Sequence, residues 1–94
     1  MEHRKLDSNE IDVRLSELPG WTLDNGQIAK TYIFDTYKAG LVFAVVVGHL
    51  ADRMDHHPDL FIGYQKVKIG LNTHDLGGIS TFDFALATQI ESLT

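Results

Sequence analysis

Three of the five histidines in this 94-residue chain lie in one stretch, together with several carboxylates. His56 and His57 are adjacent and precede Pro58, and His74 follows after one predicted strand. Histidine is the side chain that titrates near neutral pH without help from its surroundings, so histidines gathered in this way indicate proton transfer. The stretch is therefore the candidate site for acid–base chemistry.

The adjacent pair is predicted to lie at the C-terminal end of a helix. Asp52 lies four residues before His56, a spacing that predicts a shared helix face. The negative end of the helix and the nearby carboxylates of Asp52 and Asp55 favour the charged imidazolium form. Adjacent histidines leaving a helix point in different directions, so we expect His56 and His57 to have different roles. The alternative is a pair of solvated histidines at a helix end.

Three more side chains are candidates, each with a structural alternative. His74 is predicted at a strand end just before a glycine loop, where functional side chains are common, or it is an ordinary exposed histidine. Asp83 is a candidate for supporting the site, but it lies three residues after Ser80, and a capping box explains an acid there by itself. Tyr64 is either a residue of the pocket or a half-buried strand aromatic.

A zinc site competes for the same histidines, because imidazoles and a carboxylate are zinc ligands. However, no histidine lies four residues from His56 or His57, and adjacent histidines rarely bind one ion well. The chain has no cysteine, which excludes thiolate chemistry, and it has no serine elbow motif. The residue types therefore favour acid–base chemistry without a metal.

Length and composition limit the remaining possibilities. A chain of this length predicts one domain, residues 1–94, with a small core that oligomerisation would help to stabilise. The net charge of −5 argues against direct binding to nucleic acid. The longest apolar run, residues 41–47, is far shorter than the roughly 20 residues of a membrane span. No opening signal sequence is visible, so a cytoplasmic location is expected.

Hydrophobic periodicity predicts the elements of the first half of the chain. Residues 1–6 are expected to form a loose terminus. A first helix begins near Asp7 and is ended by Pro19. Strands at residues 21–23 and 28–34 then form an antiparallel hairpin around an Asp-Asn-Gly turn.

A long second helix is predicted from Tyr37 to near His56, because Pro58 disfavours helical geometry in the residue before it. Val42 and Val45 widen its apolar stripe. The extra width indicates a second buried contact, either with the sheet or with another subunit.

Two further strands, at residues 60–64 and 67–71, and a last helix from Ser80 complete the pattern. The odd-numbered residues of the second strand face the core, so His74 should point away from the core if the strand continues to it. The last helix has an apolar stripe that includes Phe82 and Leu86. Short hairpins predict a four-stranded antiparallel sheet with three helices on one face, an α+β two-layer fold.

These residues in this register resemble the pterin-4a-carbinolamine dehydratase family. The family pattern contains an acidic residue, His-His-Pro, an aromatic residue, a third histidine and an aspartate. The corresponding positions here are Asp52, residues 56–58, Tyr64, His74 and Asp83. Weaker similarity through residues 18–21 and 34–37 extends the resemblance over nearly the whole chain. One departure is Leu60, where the family often has a bulky aromatic residue.

The resemblance implies a function as well as a fold. The family's substrate is a 4a-hydroxytetrahydropterin, which loses water to give quinonoid dihydropterin in tetrahydrobiopterin recycling, with no metal or organic cofactor. By position, His56 and His74 would be the acid–base pair, and His57 would position the substrate. Asp52 and Asp83 would orient imidazoles or hold the amide-like edge of the pterin, and Asp55, Pro58 and Tyr64 would complete the site.

The resemblance also implies homodimers or homotetramers, and it leaves a second hypothesis open. Some proteins with this fold act as binding or assembly partners, such as a dimerisation cofactor of an animal transcription factor and a carboxysome assembly factor. A pure scaffold has no need for three histidines and an acid in register, so the histidines favour the enzyme.

Overall fold

A computed structural model describes residues 4–94 of the chain. Within that range the chain forms three α-helices and four strands in the predicted order, and one short 3-10 helix that the sequence pattern does not predict. The bounds are α1 Ser8–Ser16, β1 Thr22–Asp24, β2 Gln27–Ile33, α2 Tyr37–Met54, β3 Asp59–Gly63, β4 Lys66–Leu71, the 3-10 helix His74–Leu76 and α3 Thr81–Glu91.

The four strands form one antiparallel sheet in the order β1-β2-β4-β3. Strand β4 alternates as the sequence predicts, because Val67 and Ile69 are fully buried whereas Lys66 and Lys68 are exposed. The helices pack against the buried face, so the predicted α+β two-layer fold is confirmed. This topology brings the end of β4, the end of α2 and the start of α3 to the same side of the domain.

Helix α2 begins after Thr36, whose hydroxyl oxygen accepts a hydrogen bond from the backbone N–H of Ala39 at 3.0 Å. The side chains of Phe43 and Val47 are buried in the core, whereas those of Val42 and Val45 are 54% and 73% exposed. The wide apolar stripe therefore has an outer part that nothing in the described chain covers.

The prediction that α2 continues to near His56 is wrong by two residues. The helix ends at Met54, and Asp55 takes the left-handed conformation with a φ of 50°. This conformation ends the helix and reverses the chain, and the backbone N–H of His56 then donates to the carbonyl oxygen of Ala51 at 3.1 Å. His56 is consequently buried instead of lying on the helix surface.

The expectation of a loose terminus is also wrong for residues 4–6, while residues 1–3 lie outside the described residues. The side chain of Leu6 is only 3% exposed, and its backbone N–H donates to the carbonyl oxygen of Ile79 at 2.8 Å. Lys5 forms a β-bridge with Ser80. The segment covers the start of α3, and the burial of one leucine is the reason it is ordered.

Helix α3 begins at the capping box predicted from Ser80 and Asp83. Its buried face includes Phe84 and Leu86, whereas Phe82, predicted for the apolar stripe, is only partly buried. No helix within residues 4–94 combines the length and the apolar character needed to cross a bilayer.

Candidate active site

A cleft of about 440 Å³ lies where the end of α2 meets the segment after β4 and the start of α3. Its walls include all three candidate histidines, His56, His57 and His74. Apolar walls come from Met54 and Phe82, and further polar groups come from Asp55, Asn72, Thr73 and Asp75. The tertiary structure thus gathers residues that are up to 28 positions apart in the sequence, from Met54 to Phe82.

His56 is held by a buried carboxylate beneath the cleft. Its Nε2 lies 2.5 Å from Oδ1 of Asp83, and Asp83 is fully buried. Oδ2 of Asp83 accepts hydrogen bonds from the backbone N–H of Ser80 at 2.8 Å and from the hydroxyl of Thr73 at 2.9 Å. An ionised carboxylate only accepts hydrogen bonds, so Nε2 of His56 carries the hydrogen and Nδ1 is the nitrogen left for exchange with a ligand.

Asp83 therefore has two functions in the structure. It completes the capping box of α3, as the sequence alternative states, and it also binds the imidazole of His56. Both are possible because a carboxylate has two oxygens, and here each oxygen faces a different element. The capping explanation and the site explanation do not exclude each other.

The prediction that Asp52 and His56 share a helix face is wrong, because α2 ends at Met54 and Asp52 contacts His57. Oδ1 of Asp52 lies 2.8 Å from Nε2 of His57. The four-residue spacing applies only within a helix, and the left-handed Asp55 interrupts the helix between the two residues. The His57–Asp52 pair is solvent-exposed, with side-chain exposures of 59% and 76%, so it lies at the rim of the site.

His74 is exposed and begins the 3-10 helix, so β4 does not continue to it. A small loop holds it in place: the backbone N–H of Thr73 donates to the carbonyl oxygen of Gly78 at 2.7 Å, and the reverse hydrogen bond measures 3.3 Å. Gly77 closes the loop with a φ of 69°, a conformation that favours glycine. The loop fixes the backbone of His74 next to the buried Thr73.

Two candidates from the sequence do not reach the cleft. Tyr64 lies in the turn after β3 and is 75% exposed. The register places Gly63 opposite Lys66, whereas the cleft lies beyond Leu71 at the other end of β4. Pro58 does not line the cleft either; it connects His57 to β3.

Sequence reasoning missed two residues that the structure brings to the site. Phe82 provides an apolar wall, and its ring meets that of His56 edge-on at 6.1 Å with an interplanar angle of 79°. Thr73 is buried against Asp83. A signal for Thr73 existed, because the strand parity that directs His74 outward directs the preceding residue inward. No comparable signal existed for Phe82.

Within residues 4–94, no group of three or more histidine, cysteine, aspartate or glutamate side chains has a geometry that could hold a metal ion. Fold and cleft together define a small α+β domain with a histidine-lined site and one histidine backed by a buried carboxylate. A family model described as pterin 4 alpha carbinolamine dehydratase matches residues 4–93, and the chain belongs to that family.

Individual relatives agree with this assignment. A protein from Sulfolobus acidocaldarius, provisionally named as a pterin-4-alpha-carbinolamine dehydratase, is 42% identical over 89 residues, covering 95% of this chain and 98% of its own length. A protein from Roseiflexus sp. with the same provisional name is also 42% identical over 89 residues, covering 95% of this chain and 96% of its own length.

Two solved structures have a similar fold. The crystal structure of a transcriptional coactivator/pterin dehydratase from Brucella melitensis has a TM-score of 0.89 and 26% identity, covering 96% of this chain and 98% of that one. A pterin dehydratase-like protein described as a RuBisCO assembly factor in the alpha-carboxysome has a TM-score of 0.62 and 22% identity, covering 78% and 84%. The second similarity shows the fold alone.

Proposed function

We propose that this protein is a hydro-lyase that removes water from a 4a-hydroxytetrahydropterin and releases quinonoid dihydropterin, a step of tetrahydrobiopterin recycling. The observation that carries the proposal is the meeting of His56, His57 and His74 in one cleft, with Asp83 behind His56. Family membership supports the same reaction. A binding or assembly role alone would leave this arrangement of titratable groups without a use.

The reaction needs one proton delivered and one removed. The bond between C4a and its hydroxyl oxygen breaks, the departing hydroxyl takes a proton and leaves as water, and ring N5 loses a proton. We assign these transfers to His56 and His74, one as the acid and the other as the base, and substrate positioning to His57. Positioned general acids and bases each contribute roughly 10²–10⁴-fold to the rate.

The cleft suits a flat heterocyclic substrate in size and lining. Its volume of about 440 Å³ falls within the range of small-molecule pockets, about 300–1,000 Å³. Phe82 and Met54 offer apolar surface to a ring system, and the carboxylates of Asp55 and Asp75 offer acceptors for its N–H groups. Phe82 thus supplies an aromatic surface although Leu60 replaces the aromatic residue that the family often has in β3.

The test is the dehydration rate of freshly generated 4a-hydroxytetrahydropterin with the wild type, His56→Ala, His74→Ala and His49→Ala. His49 is exposed on α2 and does not line the cleft, so its variant is the matched control. We expect acceleration by the wild type and by His49→Ala, and a loss of roughly 10²-fold in kcat for each of the other two variants.

Near-wild-type kcat in both His56→Ala and His74→Ala would overturn the assignment of these residues. No acceleration by a well-folded wild type would overturn the enzymatic proposal and leave the binding or assembly role. Circular dichroism of each variant separates loss of chemistry from loss of fold.

We further propose that the protein assembles as a homodimer or homotetramer. A groove of about 540 Å³ runs along α2, lined mostly by apolar side chains that include Val42 and Val46. Val45 adds to the exposed apolar surface of the same helix. Size-exclusion chromatography with light scattering tests this, with Val45→Lys expected to yield smaller species, and a monomeric wild type would overturn it.

The remaining assignments concern the chain as a whole. One continuous cluster of buried side chains supports a single domain over residues 1–94. The negative net charge supports a protein that does not bind nucleic acid directly. We propose a cytoplasmic location. Fluorescence microscopy of a tagged protein in its own cell tests this, and a signal at the membrane or outside the cell would overturn the proposal.

A further inference from the structure

We propose that Thr73 is a positioning residue that holds His56 and His74 in a fixed relation through Asp83. Its kinetic consequence rests on the proposed dehydratase function, whereas its structural consequence does not. Thr73 directly precedes His74 in the sequence, and its hydroxyl contacts Asp83, the carboxylate that binds His56. The side chain is 5% exposed, and its hydroxyl hydrogen is donated to Asp83.

The hydrogens of this cluster can be assigned one by one. The hydroxyl of Thr73 has a single hydrogen, and it donates that hydrogen to Oδ2 of Asp83 at 2.9 Å. The hydroxyl of Ser80, 2.7 Å from Oγ1 of Thr73, must therefore donate to Thr73. Oδ1 of Asp83 is left to accept from Nε2 of His56. The chain of donors thus runs from Ser80 through Thr73 to Asp83 and fixes the carboxylate that holds the imidazole of His56.

The backbone of Thr73 holds the other histidine. Its N–H and carbonyl oxygen form a pair of hydrogen bonds with Gly78, at 2.7 and 3.3 Å, and these close the loop that contains His74. The carbonyl oxygen of Thr73 also accepts from the N–H of Leu76 at 3.1 Å. One residue therefore anchors the loop of His74 by its backbone and the carboxylate of Asp83 by its side chain.

Loss of the Thr73 hydroxyl would loosen this relation. Oδ2 of the buried Asp83 would keep the N–H of Ser80 but lose the hydroxyl of Thr73, and the freed oxygen could then compete for Nε2 of His56. A buried acceptor without its partner is costly, so the carboxylate is expected to shift or to admit water. Either change alters the orientation of His56 relative to His74.

The experiment compares Thr73→Val, which keeps the shape but removes the hydroxyl, with Thr73→Ser, which keeps the hydroxyl. Thr88→Val is the matched control, because the Thr88 hydroxyl donates only to the backbone oxygen of Phe84 within α3. Long-range ¹H–¹⁵N NMR of the His56 ring reports which nitrogen carries hydrogen, and steady-state kinetics report kcat and KM.

We expect the Nε2–H form of His56 in all four proteins, because Asp83 still accepts from Nε2 in each. We expect wild-type ring ¹⁵N shifts in Thr73→Ser and in Thr88→Val, and displaced or broadened ring signals in Thr73→Val, where the carboxylate is held less firmly. We expect kcat of Thr73→Val to fall about tenfold, with KM changed less than about twofold, since the hydrogen of the Thr73 hydroxyl is donated to Asp83 and not to a ligand. If Thr73→Val does not fold, Thr73→Cys replaces it, because a thiol is a weak donor.

Wild-type ring signals of His56 in Thr73→Val overturn the proposal, and so does a failure of Thr73→Ser to keep the wild-type ring signals. If the wild type has no dehydratase activity but Thr73→Val still displaces or broadens the ring signals of His56, the proposed function fails while the positioning role stands. An equal fall in kcat in Thr73→Val and Thr88→Val would indicate a general loss of stability and would also overturn the proposal.

Discussion

Helix α3 carries a hydrogen-bonded carboxylate near each end, and the two serve different purposes. At the start of the helix, Asp83 accepts from Ser80, Thr73 and His56. Near its end, Oε1 of Glu91 accepts from Nε1 of Trp21 at 3.2 Å, from Nζ of Lys30 at 2.7 Å and from the hydroxyl of Tyr32 at 2.5 Å. Both clusters tie the helix to the rest of the fold.

The two carboxylates differ in the side chains that donate hydrogen bonds to them. The hydrogen bonds from Lys30 and Tyr32 hold the pKa of Glu91 below its ordinary value. Burial, and then the bond to Glu91, raises the pKa of Tyr32. Near neutral pH the carboxylate of Glu91 therefore stays ionised and the hydroxyl of Tyr32 stays protonated, so neither group exchanges a proton. Asp83 instead binds His56 through Nε2, and the other ring nitrogen of His56 is not engaged by that carboxylate. This nitrogen is the one that the proposed reaction would use for proton transfer.

The largest expected effect is on catalysis by Asp83→Asn. The amide removes the negative charge behind His56 and presents a donor as well as an acceptor, so the imidazole loses its orientation. We expect kcat for dehydration to fall roughly 10²-fold, within the contribution of general acid–base groups. A stopped-flow assay on folded protein measures it. A fall of less than about threefold would show that Asp83 acts only as a helix cap.

The matched substitution near the C-terminal end of α3 is Glu91→Gln. We expect it to lower the free energy of unfolding and to leave kcat for dehydration unchanged. The substitution replaces a charged acceptor of hydrogen bonds from Trp21, Lys30 and Tyr32 by a neutral one. We therefore expect the free energy of unfolding to decrease by about 1–2 kcal/mol. Urea denaturation measures this decrease, and the same dehydration assay should give kcat within about twofold of the wild type. A large loss of kcat without loss of stability would contradict the distinction between the two clusters.

The pH dependence sharpens the contrast further. Because the pKa of Glu91 is lowered in the folded protein, its carboxylate stabilises the fold above the ordinary pKa of about 4.3, and that contribution is lost as pH falls through the lowered pKa. The stability difference between the wild type and Glu91→Gln should therefore be full at about pH 7 and smaller at about pH 3. A difference that does not change between these two conditions would rule out a charge-dependent role.

The smallest expected effect comes from Asp52→Asn at the rim of the cleft. The His57–Asp52 pair is exposed on both sides, so its contribution to the free energy of unfolding should be less than about 0.5 kcal/mol. We expect kcat to fall much less than in Asp83→Asn, because His57 does not depend on a buried partner. Urea denaturation and the dehydration assay test both points, and a loss equal to that of Asp83→Asn would place Asp52 among the essential groups.

The sequence by itself determined the order of the elements, the fold class and the three histidines of the cleft. These features depend on signals within a few residues of each other: alternation in β4, the capping box of Ser80 and Asp83, and the turn after Asp24. Local patterns of this kind remain valid in the folded chain because neighbouring residues set backbone geometry directly.

Only the tertiary structure decided which carboxylate meets which histidine. The left-handed Asp55 ends α2 two residues early, so Asp52 and His56 do not share a helix face; Asp52 contacts His57, and His56 contacts Asp83. The Glu91 cluster and the burial of Leu6 likewise join residues 59 or more positions apart. Such contacts depend on how distant elements pack, so the spacing between neighbouring residues does not predict them. One residue in a left-handed conformation, such as Asp55, changes the direction of the side chains that come directly after it.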